Sequence, residues 1–163
     1  RIMSRARDFA DFPSEISVDT SGRVTMSNQP AFLVHPSSTL ANVAADANQQ
    51  IPFQTEVYDQ GSNFSSNTFT APITGRYLLC TTIYGQELDG GIVYMELSID
   101  TSNRSYTTIQ EPSGSESVYA GGSVVCIADM DANDTANVRV TVGGSSSTFD
   151  VIAATRFSGA LIC

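Results

Sequence analysis

The feature that most constrains this chain is its near lack of helical periodicity. From Ile16 onward, short runs rich in β-branched and aromatic residues alternate with clusters of Gly, Ser, Asn, Asp and Pro, the pattern of an all-β sandwich or barrel. Strands are expected over Ile16 to Val18 and Arg23 to Met26, flanking a tight Asp19-Thr20-Ser21-Gly22 turn. More are expected at Ala31 to Val34, Ile51 to Tyr58, Thr68 to Thr70, Arg76 to Tyr84 and Ile92 to Ile99. Ser105 to Ile109, Ser123 to Ala128, Asn137 to Val142, Thr148 to Ala153 and Phe157 to Ile162 complete the set. Only Ile2 to Phe12 tolerates helical spacing, with Ile2, Ala6 and Phe9 on one face of a short, marginal helix.

Several runs are bulky or apolar on both alternating faces. The clearest is Arg76-Tyr77-Leu78-Leu79-Cys80-Thr81-Thr82-Ile83-Tyr84. A strand with a solvated face alternates with polar residues, so such a run is expected to have core on one side and a partner or loop on the other. Phe157 to Ile162 is similar. Small Ser158, Gly159 and Ala160 permit close backbone approach, and the segment reads as an oligomer-facing strand.

Composition narrows the partners. At 163 residues the chain has room for one domain with an extension. Net charge is −9 and all eight basic residues are arginine, so phosphate backbones and anionic membranes are repelled; nucleic acid is a poor partner. Half of the arginines, Arg1, Arg5, Arg7 and Arg23, lie in the N-terminal stretch. No apolar run reaches membrane-span length, so membrane insertion is not expected. Starting at Arg1 with no initiator Met, the chain is expected to be a fragment or processed product. Cys80, Cys126 and Cys163 are odd in number and widely spaced, implying neither a disulfide framework nor a zinc site.

The stretch Tyr58-Asp59-Gln60-Gly61-Ser62-Asn63-Phe64, followed by Thr68-Phe69-Thr70-Ala71-Pro72-Ile73-Thr74-Gly75-Arg76-Tyr77, resembles the central motif of C1q-like and tumour necrosis factor-like heads. Gln29 to Phe32, Asp134 to Val138 and Thr155 to Ile162 fall in the order of that family's first strand, late turn and last strand. The resemblance covers nearly everything from residue 29 onward. It implies a ten-strand jelly-roll sandwich assembled as a homotrimer, with residues 29–163 as the head and residues 1–28 as an arm or shaft stub carrying the short hairpin. Pro72 fixes φ and Gly75 supplies a positive φ if one is needed, so that Phe69 and Tyr77 enter adjacent strands and Tyr77 packs inward. Phe32, Phe69, Tyr77, Leu79, Phe157, Gly159 and Leu161 are the expected core or trimer-packing residues. The collagen-like repeats of the animal family are missing upstream; Ile16 to Phe32 instead resembles the lead-in to C1q-like heads of bacteriophage tail or capsid fibres.

Sites of chemistry are few. His35 is the only histidine; it sits at a strand end without a nucleophile elbow, so catalysis is not expected. Asp129, Asp131 and Asp134 have alternating spacing that suits calcium, but no EF-hand loop follows, and a turn is the expected structure. Otherwise no cofactor is expected. Gly90-Gly91, Gly121-Gly122 and Gly143-Gly144 read as turn glycines. Cys80 and Cys126 read as small buried hydrophobes, whereas Cys163 at the chain end is free to be exposed. Asn63, Asn103 and Asn133 match the glycosylation pattern, which carries no sugar in a protein made by bacteria. Tyr58, Tyr84, Tyr106 and Tyr119 are candidates either for packing or for stacking on carbohydrate.

The expected function is that of a non-enzymatic trimeric structural and adhesion head. In that role it is a phage fibre tip on the virion, joined to other fibre or tail proteins and binding a host surface glycan or protein. The loops Gly85 to Gly91, Glu111 to Glu116 and Gly143 to Ser147 are the expected contacts, the receptor-binding residues being otherwise unknown. The alternatives are a secreted C1q-like signalling or lectin module and a purely architectural virion protein.

Overall fold

A computed structural model describes residues 16–111, 117–144 and 148–163, and all the secondary structure in them is strand. In chain order the strands are β1 (Ile16–Val18), β2 (Val24–Met26), β3 (Ala31–His35), β4 (Leu40–Ala44), β5 (Gln49–Gln50), β6 (Thr55–Gln60), β7 (Phe64–Ser65) and β8 (Thr68–Thr70). There follow β9 (Gly75–Leu88), β10 (Ile92–Thr101), β11 (Ser105–Gln110), β12 (Ser117–Met130), β13 (Thr135–Gly144), β14 (Thr148–Val151) and β15 (Arg156–Leu161). The expected helix at Ile2 to Phe12 lies outside the described residues.

Strands β6-β3-β15-β9-β12 make one five-stranded layer, the front sheet, and β7-β8-β13-β10-β11 make the back sheet. Among the described residues thirteen strands, not the expected ten, pair in the two sheets, because the short β14 and β4 extend the front one and β5 the back one. Every pairing is antiparallel. β9 is the axis of the front sheet: residues 77–82 pair with β15 along one edge and with β12 along the other. β1 and β2 form a separate hairpin, whose turn is closed by the Asp19 carboxylate accepting from the N–H groups of Ser21 and Arg23. Gln60 Nε2 donates to the carbonyls of Met26 and Gln29, and Gln29 Nε2 donates to that of Leu161, which fastens the entering chain beside its far end.

The core forms where both sheets turn their apolar alternate residues inward. Phe32 lies at its centre, 4.7 Å from Phe69, 4.9 Å from Phe157 and 5.3 Å from Phe64 between ring centroids, in the stacked and edge-on arrangements that aromatic quadrupoles favour. Tyr77 and Leu79 are fully buried beside them, and the Tyr77 hydroxyl donates to the Ile73 carbonyl at 2.8 Å. The expected packing residues are therefore core residues of one copy, with Leu161 half-buried against them. Gly159 also faces inward: a Cβ there would meet Leu79 Cδ2 and Phe32 Cε1, each at 2.7 Å.

Other glycines depart from expectation. Gly121-Gly122 and Gly143-Gly144 are not turns but lie inside β12 and β13, and Gly85 to Leu88 continue β9 instead of opening a loop. Close approach is the reason at Gly143, where a Cβ would sit 1.9 Å from the Tyr94 ring. Gly75 shows no positive φ; it leaves room for the Cys163 carbonyl, 2.6 Å from where its Cβ would be.

Candidate functional site

Among the described residues the front sheet has an outer face that no other element covers. Alternation along β9 turns Leu78, Cys80, Thr82, Tyr84 and Gln86 outward while Tyr77, Leu79, Thr81 and Ile83 are buried. The register carries this face across the neighbouring strands. One row is Leu33, Ser158, Cys80 and Val125; the row below it is Ala31, Ala160, Leu78 and Ile127. Tyr58 joins the first row from β6, opposite Leu33. Val125 is 65% exposed, Ile127 59% and Tyr58 50%, so an aliphatic field spans five strands. A shallow depression of about 140 Å³ in it is lined by Tyr58, Leu78, Cys80, Ser158, Gly159 and Ala160. Ser158 and Ala160 thus lie on the outer face, with the Cα hydrogen side of Gly159 turned to the inner one.

Higher on the same face the character changes. Arg156, Thr82 and Ser123 form a polar row, with the Arg156 guanidinium turned back onto the carbonyls of Ala153 and Thr155. Above that row stand Tyr84 and Tyr119, their rings 5.4 Å apart and inclined at 32°. Tyr106, by contrast, is half-buried against the core.

At the opposite end of the strands, the turn after β12 gathers the acidic residues. Asp134 Oδ2 accepts from the Asp131 N–H and from Asn103 Nδ2, both at 2.9 Å. Asp131 Oδ1 accepts from the Thr74 hydroxyl, and Asp129 pairs with Arg104 at 2.6 Å. Asp134 thus bonds its own loop backbone, as a turn residue does. Among the described residues no three His, Cys, Asp or Glu side chains are grouped to hold a metal ion. Asn63 Nδ2 donates to the Gln60 carbonyl of its own turn, whereas Asn103 Nδ2 reaches across to the Asp129 carbonyl at the end of β12.

His35 ends β3 half-buried, with Nδ1 2.8 Å from the Pro36 carbonyl oxygen, to which it donates as the Nδ1–H tautomer. No hydrogen bond to it from an acidic or hydroxyl side chain occurs among the described residues. Cys80 and Cys126 are half-buried and not fully enclosed, because β12 is an edge strand and Cys80 lies on the uncovered face. Burial raises both thiols, Cys126 to about 11 with a smaller push from Cys80. Of the three expected recognition loops, 112–116 and 145–147 lie outside the described residues, and the first reduces to a turn at residues 89–91.

The aliphatic field was legible only as strands apolar on both sides. The Tyr84–Tyr119 pairing was not legible, since it depends on the β9–β12 register.

No family model matches the sequence, and no curated protein matches it. The structure is similar to a solved one, the globular domain of zebrafish complement 1qA protein, with a TM-score of 0.61 and 20% identity over 83% of this chain and 98% of that one. The fold is that of a C1q globular domain. At this identity the likeness concerns the fold alone.

Proposed function

We propose that this C1q-type domain is a non-enzymatic, homotrimeric recognition head, the tip of a phage fibre that holds on to a host surface receptor or glycan. The observation that carries the reading is the aliphatic field on the front sheet. A monomer seldom leaves a contiguous apolar area uncovered, and Leu78, Val125 and Ile127 gain by facing sister copies. The resemblance of the Tyr58 to Tyr77 stretch to C1q-like heads implies trimeric assembly, and the C1q-type fold agrees with that resemblance. The lead-in over Ile16 to Phe32, with its resemblance to phage fibre heads, supports a fibre. The mechanism is multivalent: three weak sites held in one rigid unit act at high effective concentration, raising avidity by about 10²–10⁴ over a single site.

Sedimentation equilibrium tests this directly. The expected result is one species near three times 17.4 kDa. Val125→Asp with Ile127→Asp is expected to give a folded monomer, because two carboxylates buried unpaired at the interface cost more than the apolar contact returns. A wild-type monomer at micromolar concentration refutes the head.

A further inference from the structure

The Tyr84–Tyr119 pair does not belong to the aliphatic field below it. The polar row of Arg156, Thr82 and Ser123 separates the two, so a sister copy seated on Leu78, Val125 and Ile127 finds no continuous apolar surface leading up to the tyrosines. What surrounds the pair is polar. Gln86 lies directly opposite Tyr119 on one side and opposite Asp150 on the other, so Asp150, Gln86 and Tyr119 form one row on the same face. Gly121 lies opposite Tyr84 and adds no side chain beside that ring.

The polar ends of this row are unspent. Asp150 Oδ1 accepts from the Asn42 N–H at 2.8 Å, whereas its Oδ2, the Gln86 amide and the two tyrosine hydroxyls have no hydrogen-bond partner among the described residues. Tyr119 is 58% exposed. The row therefore offers two aromatic faces, a carboxylate oxygen that only accepts and an amide that both accepts and donates.

That combination matches one class of ligand. The axial C–H groups of a pyranose ring lie against an aromatic face, while its neighbouring hydroxyls donate to a carboxylate and exchange bonds with an amide. A net charge of −9, with Asp150 in the row, repels uronic or phosphorylated sugars. We infer that Tyr84, Tyr119, Gln86 and Asp150 form a binding site for a neutral saccharide. The inference rests on the recognition-head reading for its biological sense, but each copy carries the whole site.

The chain has no tryptophan, so its intrinsic fluorescence is that of tyrosine alone, and a sugar stacking on the pair alters it. The experiment titrates the purified full chain with hexasaccharides of glucose, mannose, galactose and N-acetylglucosamine, with polygalacturonate as the acidic control. At least one neutral hexasaccharide is expected to shift the signal saturably and the acidic one not to. Tyr119→Ala is expected to weaken that binding at least tenfold, an effect of about 1.4 kcal/mol, whereas Tyr119→Phe, which keeps the ring, stays within about threefold of wild type. Gln86→Ala is expected to weaken binding without abolishing it. The inference is overturned if no neutral hexasaccharide binds, if polygalacturonate binds as well, or if Tyr119→Ala binds like wild type. Mass is measured on the same samples: a trimer that binds no sugar removes this site and leaves the head, whereas a monomer that binds sugar removes the head and leaves the site.

Discussion

Cys126 sits at the rim of the core on edge strand β12, and burial pushes its thiol up to about 11, with Cys80 adding to the shift. An unfolded cysteine titrates near pH 8.5. Between about pH 9 and 11, then, the unfolded chain gives up this proton while the folded chain keeps it. The unfolded state binds fewer protons, so stability falls as pH rises through that window and is fully present below it. Urea midpoints measured from pH 7.5 to 10.5 are expected to decline, and Cys126→Ala is expected to flatten part of the decline; an identical slope in the variant contradicts the assignment. The residue scale is also where sequence reading was least secure. Gly143 reads as a turn glycine because free φ is the residue's most visible property, whereas Gly159, inside an apolar run, reads as a site of close approach. At both the property in use is the missing Cβ, whose place is taken by the rings of Tyr94 and Phe32, their partners on the neighbouring strand of the same sheet.

Elements were legible in proportion to how strictly they alternate. Thr68–Thr70 and Ile16–Val18 match expectation at both ends. The strand expected over Ile51 to Tyr58 is shortened to Thr55–Gln60, because Pro52 has no N–H for a ladder, although Ile51 and Phe53 keep the buried alternation. Leu40–Ala44 gave no signal: it lacks a β-branched run and carries Asn42 at φ 57°. The reading that Asp134 serves its turn succeeded because an Asx residue ahead of a strand has a local backbone N–H to bind. Here Asp134 also holds Asn103, so it joins the β10–β11 turn to the β12–β13 turn. Asp134→Ala is expected to cost about 1–2 kcal/mol, the net value of two exposed hydrogen bonds to a charged acceptor. If the role is that of a turn, the loss in thermal denaturation is the same with and without added calcium; a loss confined to calcium-containing buffer indicates a metal ligand instead.

For the molecule as a whole, the sequence revealed that a second apolar side existed but not where it lay, since that is a property of register: Leu78 and Ile127, far apart in the chain, become neighbours only through β9 and β12. Association through that face has a thermodynamic signature apart from mass. A trimer that forms only from folded chains is stabilised by mass action, so its melting temperature rises with protein concentration, whereas a monomer's does not. Over a hundredfold dilution the wild-type transition is expected to move down by several degrees, given that about 1 kcal/mol shifts the midpoint by roughly 2–4 °C in a chain of this size. The Val125→Asp, Ile127→Asp variant is expected to melt lower at high concentration and to show no dependence at all. Coincident wild-type transitions across the range, together with a single-copy mass, place the aliphatic field in contact with some other partner. A concentration dependence that survives in the double variant places the contact on a different face. The dependence therefore ties the outward row of β9 and β12 to assembly in a way that mass alone does not, because it shows that covering those side chains contributes to holding the fold.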